Sequence, residues 1–85
     1  MDGVRIAPFG DAAVLVELDG TTGIAAAHRA RAVAAAIEAI RREIPGFGVP
    51  VPAATSVLVP FDPRALDVAG VASRVASVLE AAPPP

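Results

Sequence analysis

The chain has 85 residues, a formal net charge of −2 and no cysteine. This length allows one domain with a thin core, which buries roughly 60–65% of the surface exposed by the unfolded chain. All seven basic residues are arginine, and there is neither Trp nor Tyr, so the basic stripe and stacking aromatics of nucleic-acid binders are missing. The lack of cysteine excludes disulfides, thiol catalysis and thiolate metal sites.

The N-terminal segment does not have the pattern of a targeting signal. Asp2 and Asp11 flank a short apolar run, which is wrong for a signal peptide. No stretch reaches about 18 uncharged apolar residues, so the sequence predicts no membrane-spanning helix. We therefore expect a cytoplasmic protein with no membrane and no nucleic-acid partner.

The first two predicted elements are strands joined by a tight turn. Val4 to Pro8 alternates apolar and more polar residues with the period of two that is typical of a strand. Phe9-Gly10-Asp11 is a turn cluster, in which Gly10 can take a positive φ. Ala12 to Leu18 alternates again, which predicts a second strand paired with the first as a hairpin.

A long helix is predicted from about Gly23 to Glu43, with Thr21 or Thr22 as its N-cap. Its apolar residues recur at spacings of three and four, which places them in one stripe that must face a sheet. Glu38 and Arg42 are predicted to form an i,i+4 ion pair on the far side. The stripe comprises Ala26, Ala30, Val33, Ile37, Ile40 and Ile44.

Two more strands and a shorter helix are predicted after the helix stop at Pro45-Gly46. Phe47 to Pro52 contains two prolines without an N–H, so an irregular or edge strand is expected. Ser56 to Phe61 contains the apolar run Val57-Leu58-Val59, which is typical of a central strand. Asp67 is a candidate N-cap for the last helix. The apolar face of that helix comprises Val68, Val71, Val75, Val78 and Leu79.

The predicted order is therefore ββαββα. This order favours an α+β fold, a two-layer sandwich in which a small antiparallel or mixed sheet has two helices on one face. We expect one domain over residues 1–80. Residues 81–85 end in three prolines and have the polyproline tendency of a semi-rigid linker.

No catalytic, cofactor-binding or metal-ligating residue is predicted in this chain. His28 is the sole histidine and lies on the polar side of the helix, and a lone histidine does not make a metal site. Asp11 is explained by its turn. Thr55 and Ser56 lack the His/Asp partners of a nucleophile. The glycines of Pro45-Gly46-Phe47-Gly48 follow a helix, which is the wrong order for a phosphate loop. We expect no activity and no cofactor in the 85-residue chain alone.

Short motifs in a fixed order support a resemblance. Arg5-x-x-Pro-x-Gly-Asp11 leads into Ala13-x-Leu-Val-Glu-Leu18, and after the long helix come Pro45-Gly46, then Val51-Pro-Ala-x-x-Ser-Val-Leu-Val59 and Phe61-Asp-Pro63. In this order the chain resembles the N-terminal domain of the KipI/PxpB family. That family supplies the B subunit of 5-oxoprolinase, and its members are also described as allophanate hydrolase subunit 1 or as the carboxyltransferase-domain C/D type.

The resemblance implies a second half of the protein that is a cyclophilin-like β-barrel. In the family, PxpB works with the C and A subunits of 5-oxoprolinase in the ATP-dependent opening of 5-oxoproline, whereas KipI inhibits a sporulation histidine kinase. The family's substrate and kinase surfaces are placed in the barrel half. The resemblance therefore implies a non-catalytic domain that packs on the barrel and the partner subunit.

Two alternatives stay open at this point. One is a KipI-like regulatory domain whose partner is a histidine kinase. The other is an independent small binding module similar to ferredoxin-like sensor domains, although those expect a βαββαβ order. A docking role predicts that the sheet keeps an apolar face or edge exposed, with Leu15, Leu58 and the third strand as its members. Through this surface the isolated chain is expected to form a homodimer at high concentration.

Overall fold

The computed structural model describes residues 4–18 and 23–81, and within them the predicted α+β fold with ββαββα order is confirmed. The predicted helix cap at Thr21 or Thr22 and residues 82–85 lie outside the described residues. The elements are β1 Val4–Pro8, β2 Ala13–Leu18, α1 Gly23–Arg41, β3 Val51–Pro52, β4 Ser56–Pro60 and α2 Val68–Ala81.

The strands form one sheet in the order β1-β2-β4-β3, and every neighbouring pair is antiparallel. The sheet is therefore antiparallel rather than mixed. The apolar run of β4 lies inside the sheet, as predicted for a central strand. β3 is an edge strand, and only Val51–Pro52 of the predicted segment form it; Phe47 contributes an isolated bridge to Phe61.

The hairpin between β1 and β2 closes as the sequence predicted. Gly10 has a φ of 70°, in the left-handed region that glycine adopts without a steric penalty. The Phe9 N–H donates to the Ala13 carbonyl at 2.9 Å. This bond extends the ladder beyond β1 and fixes the register of the hairpin.

The end of α1 differs from the prediction. The helix stops at Arg41, and the N–H groups of Glu43 and Ile44 both donate to the Ile40 carbonyl at 3.0 Å in a tightened last turn. Because Arg42 lies beyond the helix, Glu38 pairs with Arg41 at i+3 and not with Arg42. The predicted i,i+4 pair is therefore wrong.

The connection from α1 to the sheet depends on Gly46. Its φ is 104°, and an added Cβ would lie 2.9 Å from the Ala65 Cβ and 3.1 Å from two carbons of Leu66. The Gly46 carbonyl accepts a hydrogen bond from the Asp62 N–H at 2.7 Å. Both the backbone conformation and the close approach therefore favour glycine here.

The hydrophobic core lies between the sheet and the two helices, which pack on the same face. α1 buries four of the six predicted stripe residues and also Ala34, while Ile40 and Ile44 are half-buried beside the core. α2 buries Val71 and Val75 completely. The core cluster comprises Val14, Val16, Leu18, Ala30, Val33, Ala34, Ile37, Phe47, Val57, Val59, Phe61, Val71 and Val75.

The start of α2 is capped as predicted. The Asp67 Oδ1 accepts a hydrogen bond from the Gly70 N–H at 2.7 Å, which satisfies one of the free donors of the first helical turn. This bond and the burial of Val71 and Val75 hold α2 over β1 and β2. The opposite face of the sheet receives no helix in the part of the chain that the structure describes.

Candidate functional site

The residues considered for catalysis or metal binding lie on different elements of the fold. His28 is exposed on α1, and Asp11 is exposed in the hairpin turn. Thr55 is exposed, and its carbonyl accepts from the Leu18 N–H at 2.8 Å, so its backbone belongs to the sheet. In the described part of the chain no three His, Cys, Asp or Glu side chains could hold a metal ion. The structure brings none of these residues into a catalytic arrangement.

A shallow groove of about 480 Å³ lies between the end of α1 and the outer side of α2. Among the described residues that line it, Arg74 alone is ionisable. The Ser77 Oγ donates to the Ser73 carbonyl at 3.1 Å, which explains the position of that hydroxyl without a ligand. A single guanidinium without an acid or base beside it does not form a catalytic site. Apolar lining comes from Ile40, Ile44 and Val78.

The most continuous feature is an apolar row across the open face of the sheet, the face without helices. The strand register places Ala7 opposite Leu15, Leu15 opposite Leu58, and Leu58 opposite Val51. These four residues form one line across all four strands. Leu15 and Leu58 are half-buried by their neighbours, whereas Val51 is 53% exposed.

One side of this row is apolar as well. Ala13, which is only 8% exposed, lies opposite Pro60 two residues along β2 and β4 from the Leu15–Leu58 pair. Phe9, whose N–H donates to Ala13, lies at the same end and is 58% exposed. Val49 in the segment before β3 is 59% exposed. The apolar surface therefore extends from the row toward the hairpin turn.

The other side of the row is polar. Arg5 lies opposite Glu17, and the Arg5 Nε donates to the Glu17 Oε2 at 2.6 Å. Ser56 is the next residue in this line, opposite Glu17 on β4. The two charges cancel, so the strand residues of the open face carry no net charge. An apolar area bounded by a neutralised ion pair is typical of a protein-binding surface.

We define the open sheet face as Ala7, Leu15, Leu58 and Val51 with their flanking residues Phe9, Ala13 and Pro60. Neighbouring strands lie about 4.8 Å apart, so the four strands give a face roughly 15 Å wide between the outer strand axes. The sequence placed Leu15, Leu58 and the third strand on this face. It missed Ala7 and Phe9, although the alternation of β1 was a sufficient signal for Ala7.

Another ion pair lies away from this face, on α1. The Arg41 Nη2 donates to the Glu38 Oε1 at 2.6 Å, and the Arg41 Nε reaches both carboxylate oxygens. These hydrogen bonds lower the pKa of Glu38 and raise the pKa of Arg41. The pair lies in the last turns of α1 and takes no part in the open sheet face.

The comparisons with known proteins identify one family. A family model described as "Carboxyltransferase domain, subdomain C and D" matches residues 4–85. No curated protein and no solved structure gives a significant match. Within the described ranges, no helix is long and apolar enough to cross a membrane.

Proposed function

Because the chain belongs to the family of carboxyltransferase domains, subdomains C and D, we propose that it is a non-catalytic N-terminal domain of a protein similar to PxpB of 5-oxoprolinase or to allophanate hydrolase subunit 1. In this role it supports ATP-dependent opening of 5-oxoproline by a complex of several subunits. It supplies binding surface and orientation, while other domains and subunits supply the catalytic residues.

The observation on which this proposal rests is the open sheet face. A two-layer domain with helices on one side leaves the other side of its sheet to water or to a partner. Here each strand contributes an apolar residue to the row from Ala7 to Val51. The solvated face of an antiparallel sheet usually carries polar residues instead. The composition of this face fits burial against another protein surface.

The proposed occupant is the cyclophilin-like domain that the family's architecture implies, with the partner subunit next to it. We propose that residues 1–80 form the docking domain and residues 81–85 a linker toward that barrel. α2 extends through Ala81, the first residue of this proposed linker. A covalent link favours even a small interface, because it makes docking intramolecular at a high effective concentration.

Of the alternatives, the ferredoxin-like sensor module is the less well supported. The described chain has two strands before its first helix, whereas that fold begins with a single strand before its first helix. A KipI-like kinase inhibitor would use the same docking domain with a different target. A histidine-kinase autophosphorylation assay distinguishes it from an oxoprolinase subunit.

The docking proposal is tested by binding in trans. The purified chain is titrated with the cyclophilin-like half of a KipI/PxpB family protein, and association is measured by calorimetry. Leu58→Glu places a charge in the middle of the open sheet face and should weaken binding at least tenfold. Ile24→Glu is the matched control, because Ile24 is 79% exposed on α1, away from this face.

Circular dichroism shows whether each variant keeps its fold. Loss of binding in folded Leu58→Glu, with unchanged binding in Ile24→Glu, is the expected result. Binding of Leu58→Glu equal to that of the unchanged chain would contradict docking through this face. Turnover of 5-oxoproline by the chain without other subunits would contradict a non-catalytic role.

A further inference from the structure

The two edges of the sheet differ in how they are protected. β3 has two residues, and Pro50 and Pro52 remove N–H donors from this edge. β1 has five residues without a bulge, its one charged residue, Arg5, is paired with Glu17 on β2, and Pro8 at its end is its only proline. Proteins usually blunt exposed edges with prolines, bulges, charges or short strands, because an open edge is a template for pairing. One edge is therefore blunted and the other is suited to pairing.

The hydrogen-bond phase of β1 shows which backbone groups are available. The Phe9 N–H donates to the Ala13 carbonyl, and alternate residues of an antiparallel pair exchange such bonds. The odd-numbered residues of β1 therefore face β2. The backbone N–H and C=O groups of the even-numbered residues Val4 and Ile6 point away from the sheet.

We propose that β1 pairs antiparallel with β1 of a second copy of this chain, centred on Ile6, so that two four-stranded sheets form one continuous sheet. In this register Ile6 exchanges two hydrogen bonds with Ile6 of the other copy. The Val4 N–H meets the Pro8 carbonyl of the other copy, and this bond occurs twice by symmetry. Because Pro8 has no N–H, the Val4 carbonyl of the other copy receives no hydrogen bond from it, and this is the only bond lost at each end of the pair.

The phase requires even-numbered residues to lie opposite even-numbered ones, and centres at Arg5, Ile6 and Ala7 all satisfy it, so the side chains and Pro8 decide among these registers. A centre at Ala7 would set Ile6 opposite Pro8 of the other copy, which has no N–H to return the hydrogen bond. A centre at Arg5 would set two guanidinium groups opposite each other. The Ile6 centre instead places Arg5 opposite Ala7 of the other copy, which avoids like charges. The Ile6 centre is therefore the most favourable of the three registers.

The packing on the core side favours the same pairing. Val4 and Ile6 point toward the core and contact it, yet both stay only half-buried because nothing flanks the edge in the described part of the chain. A second β1 would cover their outer sides. The resulting area is small compared with the roughly 1,200–2,000 Å² of stable complexes, so a weak dimer is expected. This pairing uses the edge of β1 in place of the apolar face through which the sequence predicted a homodimer, and it leaves the open sheet face free for docking.

Disulfide trapping tests the register directly, because the chain contains no cysteine. Residues opposite each other in a hydrogen-bonded pair have Cα atoms about 5.5 Å apart, within the range of a disulfide. Ile6→Cys should therefore form a covalent dimer during mild oxidation. Val4→Cys is the matched control, because its counterparts would lie roughly 14 Å apart, four residues along the strand.

Trapping of Ile6→Cys well above Val4→Cys is the expected result, measured by non-reducing electrophoresis over a time course. Equal trapping of the two variants, or none of Ile6→Cys, would overturn the proposed register. Folding of both variants is checked by circular dichroism before oxidation.

A second measurement does not depend on substitution at Ile6. Ala7→Asp would place a carboxylate opposite Arg5 of the other copy and should strengthen dimerisation about 2- to 10-fold, whereas Ala7→Arg should weaken it by a similar factor. Sedimentation equilibrium gives both dissociation constants. A strict monomer near millimolar concentration, or the same constant for both variants, would overturn the proposal.

Discussion

Truncation of Ile37 is the most direct test of how the long helix lies on the sheet. Ile37 is fully buried in the middle of α1, within the core cluster. Ile37→Ala removes three carbons, which at about 0.8 kcal/mol per buried CH₂ amounts to about 2.4 kcal/mol of transfer free energy. A residual cavity adds to this, so the free energy of unfolding should fall by about 2–5 kcal/mol.

This loss is large for a domain of this size. A stability of roughly 0.05–0.15 kcal/mol per residue gives about 4–13 kcal/mol for the whole chain. Ile37→Ala is therefore expected to leave a marginal fold. Ile37→Val is the milder companion variant and should cost about 0.5–1.5 kcal/mol, which stays measurable if the alanine variant does not fold.

The assay is urea unfolding followed by circular dichroism, with two control variants on the same helix. Ile24→Ala makes the same chemical change at a position that is 79% exposed, and His28→Ala changes another exposed side chain. Each should alter stability by less than about 0.5 kcal/mol. Equal losses from Ile37→Ala and Ile24→Ala would show that α1 presents a different face to the sheet.

Three further outcomes are expected from urea unfolding. Gly46→Ala should lower the free energy of unfolding by about 2–4 kcal/mol, because of the positive φ and because the added Cβ would crowd Ala65 and Leu66. Gly10→Ala, whose added Cβ would meet nothing within 4 Å, should cost about 1–2 kcal/mol from its positive φ alone. Similar losses from the two variants would refute the steric contribution at Gly46. Asp67→Ala should cost about 1 kcal/mol and Asp67→Asn much less, because asparagine keeps a side-chain oxygen that can accept from the Gly70 N–H. A negligible loss from Asp67→Ala would show that this hydrogen bond contributes little to stability. The hydrogen bond to Arg41 lowers the pKa of Glu38 below 4.5, so the stabilisation by this pair is present above pH 4.5 and is lost as the pH falls through the lowered pKa. Glu38→Gln should therefore flatten the dependence of the free energy of unfolding on pH in this range. An unchanged dependence would contradict the pairing.

The predicted placement of Leu15 and Leu58 on one face of the sheet can be traced to single residues. Alternation within β2 placed Leu15 apart from Val14 and Val16, because successive side chains of a strand point to opposite faces. The same rule placed Leu58 between Val57 and Val59. Alternation does not predict which strands lie next to each other in the sheet. The pairing of β2 with β4 brings Leu15 and Leu58 together, and no local pattern predicts it.

The sequence by itself determined the helices and strands, the cap at Asp67 and the turn at Gly10. Strand alternation, helix periodicity, caps and turns are local properties of the chain. Only the tertiary structure decided the strand order, the line from Ala7 to Val51 and the end of α1 at Arg41. These features depend on contacts between residues distant in sequence and on how the chain leaves the helix. Such contacts arise when the helices cover one face of the sheet, and the same packing leaves the apolar row on the other face without a helix in the described part of the chain.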